Sequence, residues 1–154
     1  MNDTDTALIS ALQADARRTN RSLAQEVGLA PSTTLQRVRD LEQRGVITGY
    51  HAEVDLKQLG RAVEAMVFVR LRPKTDDVVQ SFIEHVWAMP EVLAVHLISG
   101  AEDALVHVAV PDTESLRRAV LREISEHPAV VDERTALVFE HRRKHGIDPA
   151  QGDT

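Results

Sequence analysis

The sequence predicts an α+β protein in two parts, three helices near the N-terminus and then a β-α-β-β-α-β alternation. Apolar residues recur at helical spacing in the first part. In the second part, short valine-rich runs alternate with helical stretches, separated by glycine, proline and aspartate. The pattern predicts an N-terminal winged helix-turn-helix (residues 1–54), a polar linker (55–61), a ferredoxin-like βαββαβ domain (62–142) and a polar C-terminal tail (143–154).

Capping and turn residues predict the limits of the three N-terminal helices. Thr4 or Asp5 can cap the first helix and Thr19 the second, because their side-chain oxygens accept hydrogen bonds from free backbone N–H groups. Pro31 fits the first turn of the third helix, where a backbone N–H is not needed. Gly45 tolerates the left-handed conformation that ends many helices.

The third helix has an apolar side and a polar side. Leu35, Val38 and Leu41 recur every three residues, which predicts an apolar stripe. Short polar side chains opposite this stripe, with arginines on the flanks, are typical of a recognition helix that contacts base edges and phosphates. An ordinary solvated helix has a similar composition, and the order of the surrounding elements favours DNA binding. The polar residues are Ser32, Thr33, Gln36, Asp40 and Gln43, with Arg37, Arg39 and Arg44 beside them.

A two-stranded wing is predicted after the third helix. Apolar residues cluster on both sides of a glycine there, as in a small β-ribbon. The first strand contains Val46, Ile47 and Tyr50, the second contains Ala52 and Val54, and Gly49 lies near the bend.

Four strands and two helices are predicted in the second domain. The strands are residues 63–72, 92–98, 104–110 and 130–140, and the first helix is 75–89. Thr113 can cap the second helix, in which Leu116, Val120 and Ile124 recur at four-residue spacing. A tight loop, SGAED, joins the second and third strands as a hairpin.

Several of these strands are apolar at consecutive positions. Two helices can bury only one face of a four-stranded sheet, so the other face is expected to be exposed and apolar unless a second subunit covers it. Self-association through the sheet is therefore expected. In the second strand, Leu93, Val95 and Leu97 lie on one face and Val92, Ala94 and Ile98 on the other.

Composition bounds the possible functions. The 154 residues are 43% hydrophobic, enough for a packed core, and the absence of cysteine excludes disulfides and thiolate chemistry. The net charge is −6, but residues 1–50 hold six Arg and six acidic residues, so any DNA contact must be local. No apolar run approaches the about 20 residues of a membrane span, and the N-terminus lacks a signal-peptide pattern. A soluble cytoplasmic protein without a membrane partner is expected.

Seven histidines raise the question of a metal site. His141 and His145 are four residues apart, as on one face of a helix, and His96 and His107 lie on neighbouring predicted strands. No H-E-x-x-H pattern, nucleophile elbow or phosphate-binding loop is present. We therefore expect no metal, no cofactor and no catalytic residue.

The order of elements and two motifs resemble the Lrp/AsnC ("feast/famine") family of bacterial and archaeal transcription regulators. The motifs are the run GLAPSTTLQRVRDLEQRGVITGY and the Gly100-x-x-Asp103 loop, and the resemblance extends from about Thr4 to Arg142. It implies that the first domain binds double-stranded operator DNA and that the second forms dimers, often assembled into octamers. It also implies that a small effector, usually an amino acid, binds near the hairpin loop.

Carried onto this sequence, the resemblance gives two sets of candidate residues. An exposed pairing of Arg37 or Arg39 with Asp40 or Glu42 is the alternative to a DNA contact. The candidate base contacts are Ser32, Thr33, Gln36 and Arg37, the candidate phosphate contacts are Arg21, Ser22, Arg39 and Arg44, and the candidate effector loop is Ser99, Gly100, Ala101, Glu102 and Asp103. In that loop, Gly100 can turn backbone N–H groups toward a carboxylate, and Glu102 or Asp103 can pair with an ammonium. A plain turn would use the same residue types.

Three positions depart from the family pattern. Ala30 stands where a serine cap is common, Asp40 where a basic residue is frequent, and Ala104 where tyrosine often follows the aspartate. Two other functions stay open on the sequence: an effector-binding or assembly module without DNA binding, and an enzyme similar to the siroheme decarboxylases. We rank the DNA-binding regulator first.

Overall fold

The structure is a computed structural model that describes residues 1–147 and Ala150. The chain forms two compact units, one made of Met1–Ala52 with the described residues from Arg142 onward, and the other of Glu53–His141. The division between units lies near the predicted start of the linker. The described part of the predicted C-terminal tail belongs to the first unit, where the Gln13 side chain donates to the backbone oxygen of Ile147 at 3.2 Å.

Three helices form the first unit: α1 (Asp3–Ala14), α2 (Asn20–Val27) and α3 (Pro31–Gln43). Thr19 caps α2, as predicted, and its side chain accepts from the Ser22 N–H. The predicted cap of α1 is wrong, because the Asn2 side chain accepts from the Asp5 N–H at 2.9 Å and starts the helix earlier. The core of this unit consists of Leu8, Ala11, Leu12, Leu23 and Leu41.

The buried side of α3 is rotated from the predicted stripe. Leu41 and Thr34 are buried and Val38 is half-buried, whereas Leu35 is 40% exposed. Thr34 can replace Leu35 because its hydroxyl donates to the Ala30 carbonyl at 3.1 Å, which satisfies its polar atom inside the core. The spacing alone did not reveal this, since threonine reads as a surface residue.

The predicted wing strands are absent, as residues 44–62 contain no β-strand. The N–H groups of Val46 and Ile47 both donate to the Leu41 carbonyl, which turns the chain back on the end of α3. Tyr50 then donates its hydroxyl proton to Glu42 at 2.9 Å. These contacts hold the segment against α3, so it has no strand partner of its own.

The second unit is a four-stranded antiparallel sheet with helices on one face. Its strands lie in the order 92–97, 104–110, 63–71 and 130–138, and every neighbouring pair is antiparallel. This arrangement confirms the predicted ferredoxin-like βαββαβ fold. The elements are β1 (Val63–Leu71), α4 (Asp76–Trp87), β2 (Val92–Leu97), β3 (Ala104–Val110), α5 (Thr113–Arg118) with a π-helical continuation (Ala119–Ile124), and β4 (Val130–Val138).

The helices cover the sheet face on which β1 and β3 alternate into the core. Val67 and Val106 are fully buried there, and Phe82 of α4 packs against them. The predicted Thr113 cap of α5 is wrong by one residue. Asp112 accepts from the Ser115 N–H at 2.7 Å. This bond, and after it the hydrogen bond from the Ser115 hydroxyl, lowers the pKa of the Asp112 carboxyl.

The opposite sheet face is mixed instead of uniformly apolar. Met66, Phe68 and Leu105 are half-buried on it, between charged residues. His107 lies 3.0 Å from the Glu64 carboxylate, and the Arg134 guanidinium stacks over Phe68 with its carbon 4.8 Å from the ring centroid. The expectation of an exposed apolar face is therefore too simple, because ion pairs and a cation–π contact occupy part of it.

Candidate functional site

The turn between α2 and α3 sets the position of the candidate recognition helix. Gly28 ends α2 in the left-handed conformation at φ 66°, a conformation that glycine adopts without steric cost. The Asn20 side chain donates to the Pro31 carbonyl at 2.7 Å and ties the start of α2 to the start of α3. Ala30 provides no side-chain cap to α3, as its methyl group implies.

The outward side of α3 presents polar side chains to solvent. Ser32, Thr33 and Gln36 are exposed, and within residues 1–147 none of their side chains makes a hydrogen bond. Arg39 and Arg44 are exposed as well, and neither forms an ion pair in the described part of the chain. Five of the eight candidate DNA-binding residues therefore lie on α3 and its C-terminal end with their donors and acceptors available.

Arg21 and Ser22 lie in the first turn of α2. Arg21 is exposed, with no ion pair among the described residues. Ser22 is half-buried, its N–H is bound to Thr19, and its hydroxyl accepts from Arg18 at 3.3 Å. Ser22 is thus less available to a phosphate than Arg21.

Arg37 is held inside the first unit. Its Nη1 donates to Asp5 Oδ1 at 2.9 Å, and Asp5 is only 7% exposed. The Arg37 Nε atom is buried and has no hydrogen-bond partner among the described residues. Arg37 does not pair with Asp40 or Glu42, the pairing that was the alternative to a DNA contact. The partner comes from α1, which local spacing on α3 could not reveal.

Asp103 ends the candidate effector loop and points into the second unit, with 5% of its surface exposed. One carboxylate oxygen accepts from the Leu71 N–H at 2.9 Å and from Arg72 at 3.1 Å, and the other pairs with Lys74. The pKa of the Asp103 carboxyl is held below its usual range despite burial. The hydrogen bond to the Lys74 ammonium lowers it most, and the hydrogen bond from the Leu71 N–H is the second cause. This network argues against Asp103 as the partner of a ligand ammonium.

The rest of the loop is open. Ser99, Gly100 and Ala101 are exposed, and the N–H groups of Gly100 and Ala101 make no hydrogen bond within the described residues. Gly100 has φ 151°, a backbone conformation that other residues rarely adopt. Glu102 pairs with Arg134 at 3.0 Å, so its carboxylate is also engaged. The loop offers backbone donors more readily than side-chain acceptors.

Sequence reasoning missed Arg72 and Lys74, which hold the loop by pairing with Asp103. The one available signal was the concentration of basic residues around Pro73 in the stretch RLRPK. Their shared partner lies about thirty residues away in sequence, and only the β1–β3 pairing brings it close.

The histidines do not form a metal centre in the described part of the chain, where no group of three or more His, Asp or Glu side chains could hold a metal ion. His107 lies opposite Ala94, and His96 lies opposite Leu105, so the two histidines are not directly paired. Residues 141–147 contain no helix, so the four-residue spacing of His141 and His145 does not place them on a shared helix face.

Two features together define a class of protein. A helix-turn-helix presents an open polar face, and an antiparallel βαββαβ unit carries a glycine loop with free N–H groups. They define a DNA-binding transcriptional regulator with a ligand-binding domain. Within the described residues, no helix combines the length and apolar character needed to cross a membrane.

Comparison with known proteins identifies the family. Residues 64–147 match the Lrp/AsnC ligand binding domain, and residues 1–48 match a winged helix-turn-helix DNA-binding domain. The chain belongs to the Lrp/AsnC family of transcriptional regulators, as the sequence motifs predicted.

Relatives of similar length support the same assignment. The HTH-type transcriptional regulator AldR of Mycolicibacterium smegmatis is 38% identical over 143 residues, covering 93% of this chain and 84% of that protein. The leucine-responsive regulatory protein of Escherichia coli K12 is 35% identical over 136 residues, covering 88% and 83%. A solved transcriptional regulator of Neisseria meningitidis in complex with L-Met has a TM-score of 0.86 at 28% identity, covering 94% and 93%.

Proposed function

We propose that two copies of this chain, joined through their βαββαβ sheets, place two α3 helices on the half-sites of a pseudo-palindromic operator. The observation that carries this proposal is the row of exposed, unpartnered polar side chains on α3. Ser32, Thr33 and Gln36 have the lengths and donor–acceptor groups that read base edges in the major groove. Arg21, Arg39 and Arg44 reach phosphates, which fixes the helix in register.

Charge explains why the dimer is needed. The net charge is −6, so the protein lacks the general positive field that draws many proteins to DNA. Phosphate contacts from a few arginines add little affinity each, and a second copy doubles them on the same DNA molecule. Assembly of dimers into octamers would extend the same gain over a longer stretch of DNA.

The proposed effector is a small amino acid that binds at the loop of Ser99–Asp103. Its carboxylate would accept from the N–H groups of Gly100 and Ala101, which have no partner within the described residues, because successive free backbone N–H groups can bind an anion. The structurally similar transcriptional regulator from Neisseria meningitidis has been solved with L-Met, which supports an amino acid as the ligand class. The effector would change how dimers meet, with a coupling of about 1 to 3 kcal/mol that is reciprocal between DNA and ligand. This function needs no catalytic step and no cofactor, and the protein acts in the cytoplasm, where the chromosome is.

The test is a mobility-shift titration on DNA flanking the protein's own gene, run with and without a pool of amino acids. We expect saturable, salt-sensitive shifts whose midpoints change with the pool. Gln36→Ala should weaken binding by about 1 to 3 kcal/mol. The matched control Gln58→Ala, exposed and outside the helix-turn-helix, should bind as the wild type does.

Two results would contradict the proposal. A folded protein that gives no shift at any salt concentration would remove DNA binding and leave the effector-binding or assembly module. Shifts that Gln36→Ala and Gln58→Ala change equally would place the DNA contact away from the polar face of α3.

A further inference from the structure

A cavity of about 370 Å³ opens in the second unit, where the end of β1, the first two turns of α4 and the residues before β4 meet. Its volume lies within the range of small-molecule pockets, about 300 to 1,000 Å³. Val78 and Ala129 give it apolar walls, and Arg72, Asp77, Ser81 and His127 contribute polar groups. The hairpin loop of residues 99–103 does not line it.

The charged groups of the cavity are one cation and one anion. Asp77 and Ser81 lie one turn apart on α4, and both are exposed with no side-chain partner in the described part of the chain. Arg72 lies across from them at the end of β1, with its side chain 55% exposed. The lining therefore has an unpaired carboxylate at Asp77 and a guanidinium at Arg72 that is bound through Nη1 to Asp103 and to the Leu71 carbonyl, both beside an apolar wall.

His127 adds a polar but uncharged wall. Its ring meets Phe82 edge-on at 5.4 Å between centroids, and its Nδ1 accepts from the Ala129 N–H at 3.3 Å. Burial, and then the nearby His85, lower the pKa of the His127 imidazole below its usual range. The ring is therefore neutral at pH 7, which leaves Arg72 and Asp77 as the charged residues of the lining.

We propose that this cavity is a second small-molecule site, separate from the hairpin loop, and that it binds an α-amino acid or a similar small zwitterion. The ligand carboxylate binds the Arg72 guanidinium, the ammonium binds the Asp77 carboxylate, and the side chain packs on Val78 and Ala129. A simple anion would meet Asp77 and a simple cation would meet Arg72. A zwitterion satisfies both, because each of its charges faces an opposite one.

Arg72 connects the cavity to the loop. The same guanidinium donates to Asp103 at 3.1 Å, and Asp103 also has Lys74 and the Leu71 N–H as partners. When a ligand carboxylate draws Arg72 toward the cavity, Asp103 keeps two partners and stays satisfied. Occupancy of the cavity therefore alters the anchoring of the loop at little cost, and by linkage a loop ligand alters the affinity of the cavity.

The test is titration calorimetry on the full-length protein with each common L-amino acid and with the matched 2-hydroxy acid, which lacks the ammonium. Ser81→Phe fills the cavity, and Gln80→Phe adds the same ring to the neighbouring exposed position outside the lining. Gly100→Val disables the loop instead. We expect Ser81→Phe to remove one class of sites that Gln80→Phe and Gly100→Val both retain.

Asp77→Asn gives a second readout without adding bulk. It should weaken amino-acid binding at the cavity by about tenfold or more and leave the weaker binding of the 2-hydroxy acid unchanged. Circular dichroism of each variant checks that the fold is intact.

The results separate the cavity from the loop. If Gly100→Val abolishes all binding and Ser81→Phe changes nothing, the cavity site is excluded and the loop site stands. If Ser81→Phe abolishes all binding and Gly100→Val changes nothing, the cavity is supported and the loop site fails. A wild-type protein that binds no amino acid excludes both.

Discussion

The polar face of α3 and the hairpin loop of residues 99–103 differ in how their side chains are used. On α3, Ser32, Thr33 and Gln36 have no partner in the described part of the chain. In the loop, Glu102 and Asp103 are both paired, and Asp103 has three partners. The first surface can bind DNA without breaking internal contacts. The second surface can offer free backbone groups, but its carboxylates are available only when internal ion pairs break.

The largest expected effect comes from removing the loop anchor. Asp103→Ala leaves Leu71 N–H without an acceptor and leaves Arg72 and Lys74 without their anion, so unfolding should become easier by about 2 to 3 kcal/mol. The loss is limited because the Arg72 and Lys74 side chains are half-exposed and can be hydrated again. Urea denaturation measures the change. Asp132→Ala, whose carboxylate is exposed and 3.8 Å from Arg70, is the control and should change stability little.

Acid titration measures how much stability the ionised Asp103 carboxylate contributes to the folded protein. The folded pKa of Asp103 is depressed, so below the usual value of 3.8 the unfolded chain binds the proton first. The stability from this carboxylate is present above that pH and is lost as the pH falls through the folded pKa. The wild type should therefore lose more stability than Asp103→Asn on going from neutral pH into this acidic range. Equal acid profiles by thermal unfolding would mean that Asp103 is not ionised in the folded state.

Arg37 combines features of both regions. It lies on α3, as the free polar residues do, but its side chain is paired, in this case with Asp5. Arg37→Ala should weaken operator binding by about 1 to 3 kcal/mol, because the Arg37 side chain is 36% exposed and Asp5 binds only Nη1, which leaves Nη2 for a DNA contact. It should also lower stability, since Asp5 is nearly buried and loses its partner. Fluorescence anisotropy and denaturation separate the two effects. Unchanged binding by a folded Arg37→Ala protein would remove Arg37 from the DNA contact.

The smallest expected effect is an increase in the stability of the folded protein. Ala30 has an extended backbone at the start of α3 and no side-chain cap, so Ala30→Ser adds an acceptor for the free N–H groups there. We expect about 1 kcal/mol of added stability. DNA affinity should change less than stability, because the new hydroxyl satisfies α3 itself. A thermal shift with no increase, or a decrease, would show that the serine does not cap the helix.

Local pattern was sufficient for most of the fold. Thr19, Pro31 and the four valine-rich strands lie where spacing and capping predicted, because their interactions are with residues close in the chain or with a sheet whose alternation is regular. The two strands predicted for the wing do not form in residues 44–62. Its apolar residues look like strands, but the chain turns back on the carbonyl of Leu41.

The sequence by itself determined the family, the order of elements and the polar face of α3, because those depend on residue types at short spacing. Only the tertiary structure decided which charges are available. Arg37 meets Asp5 across the helical unit, and Asp103 meets Arg72 and Lys74 across the sheet. The partner of a charged side chain is set by distances between elements, which depend on how helices and strands pack. Local spacing carries no information about those distances.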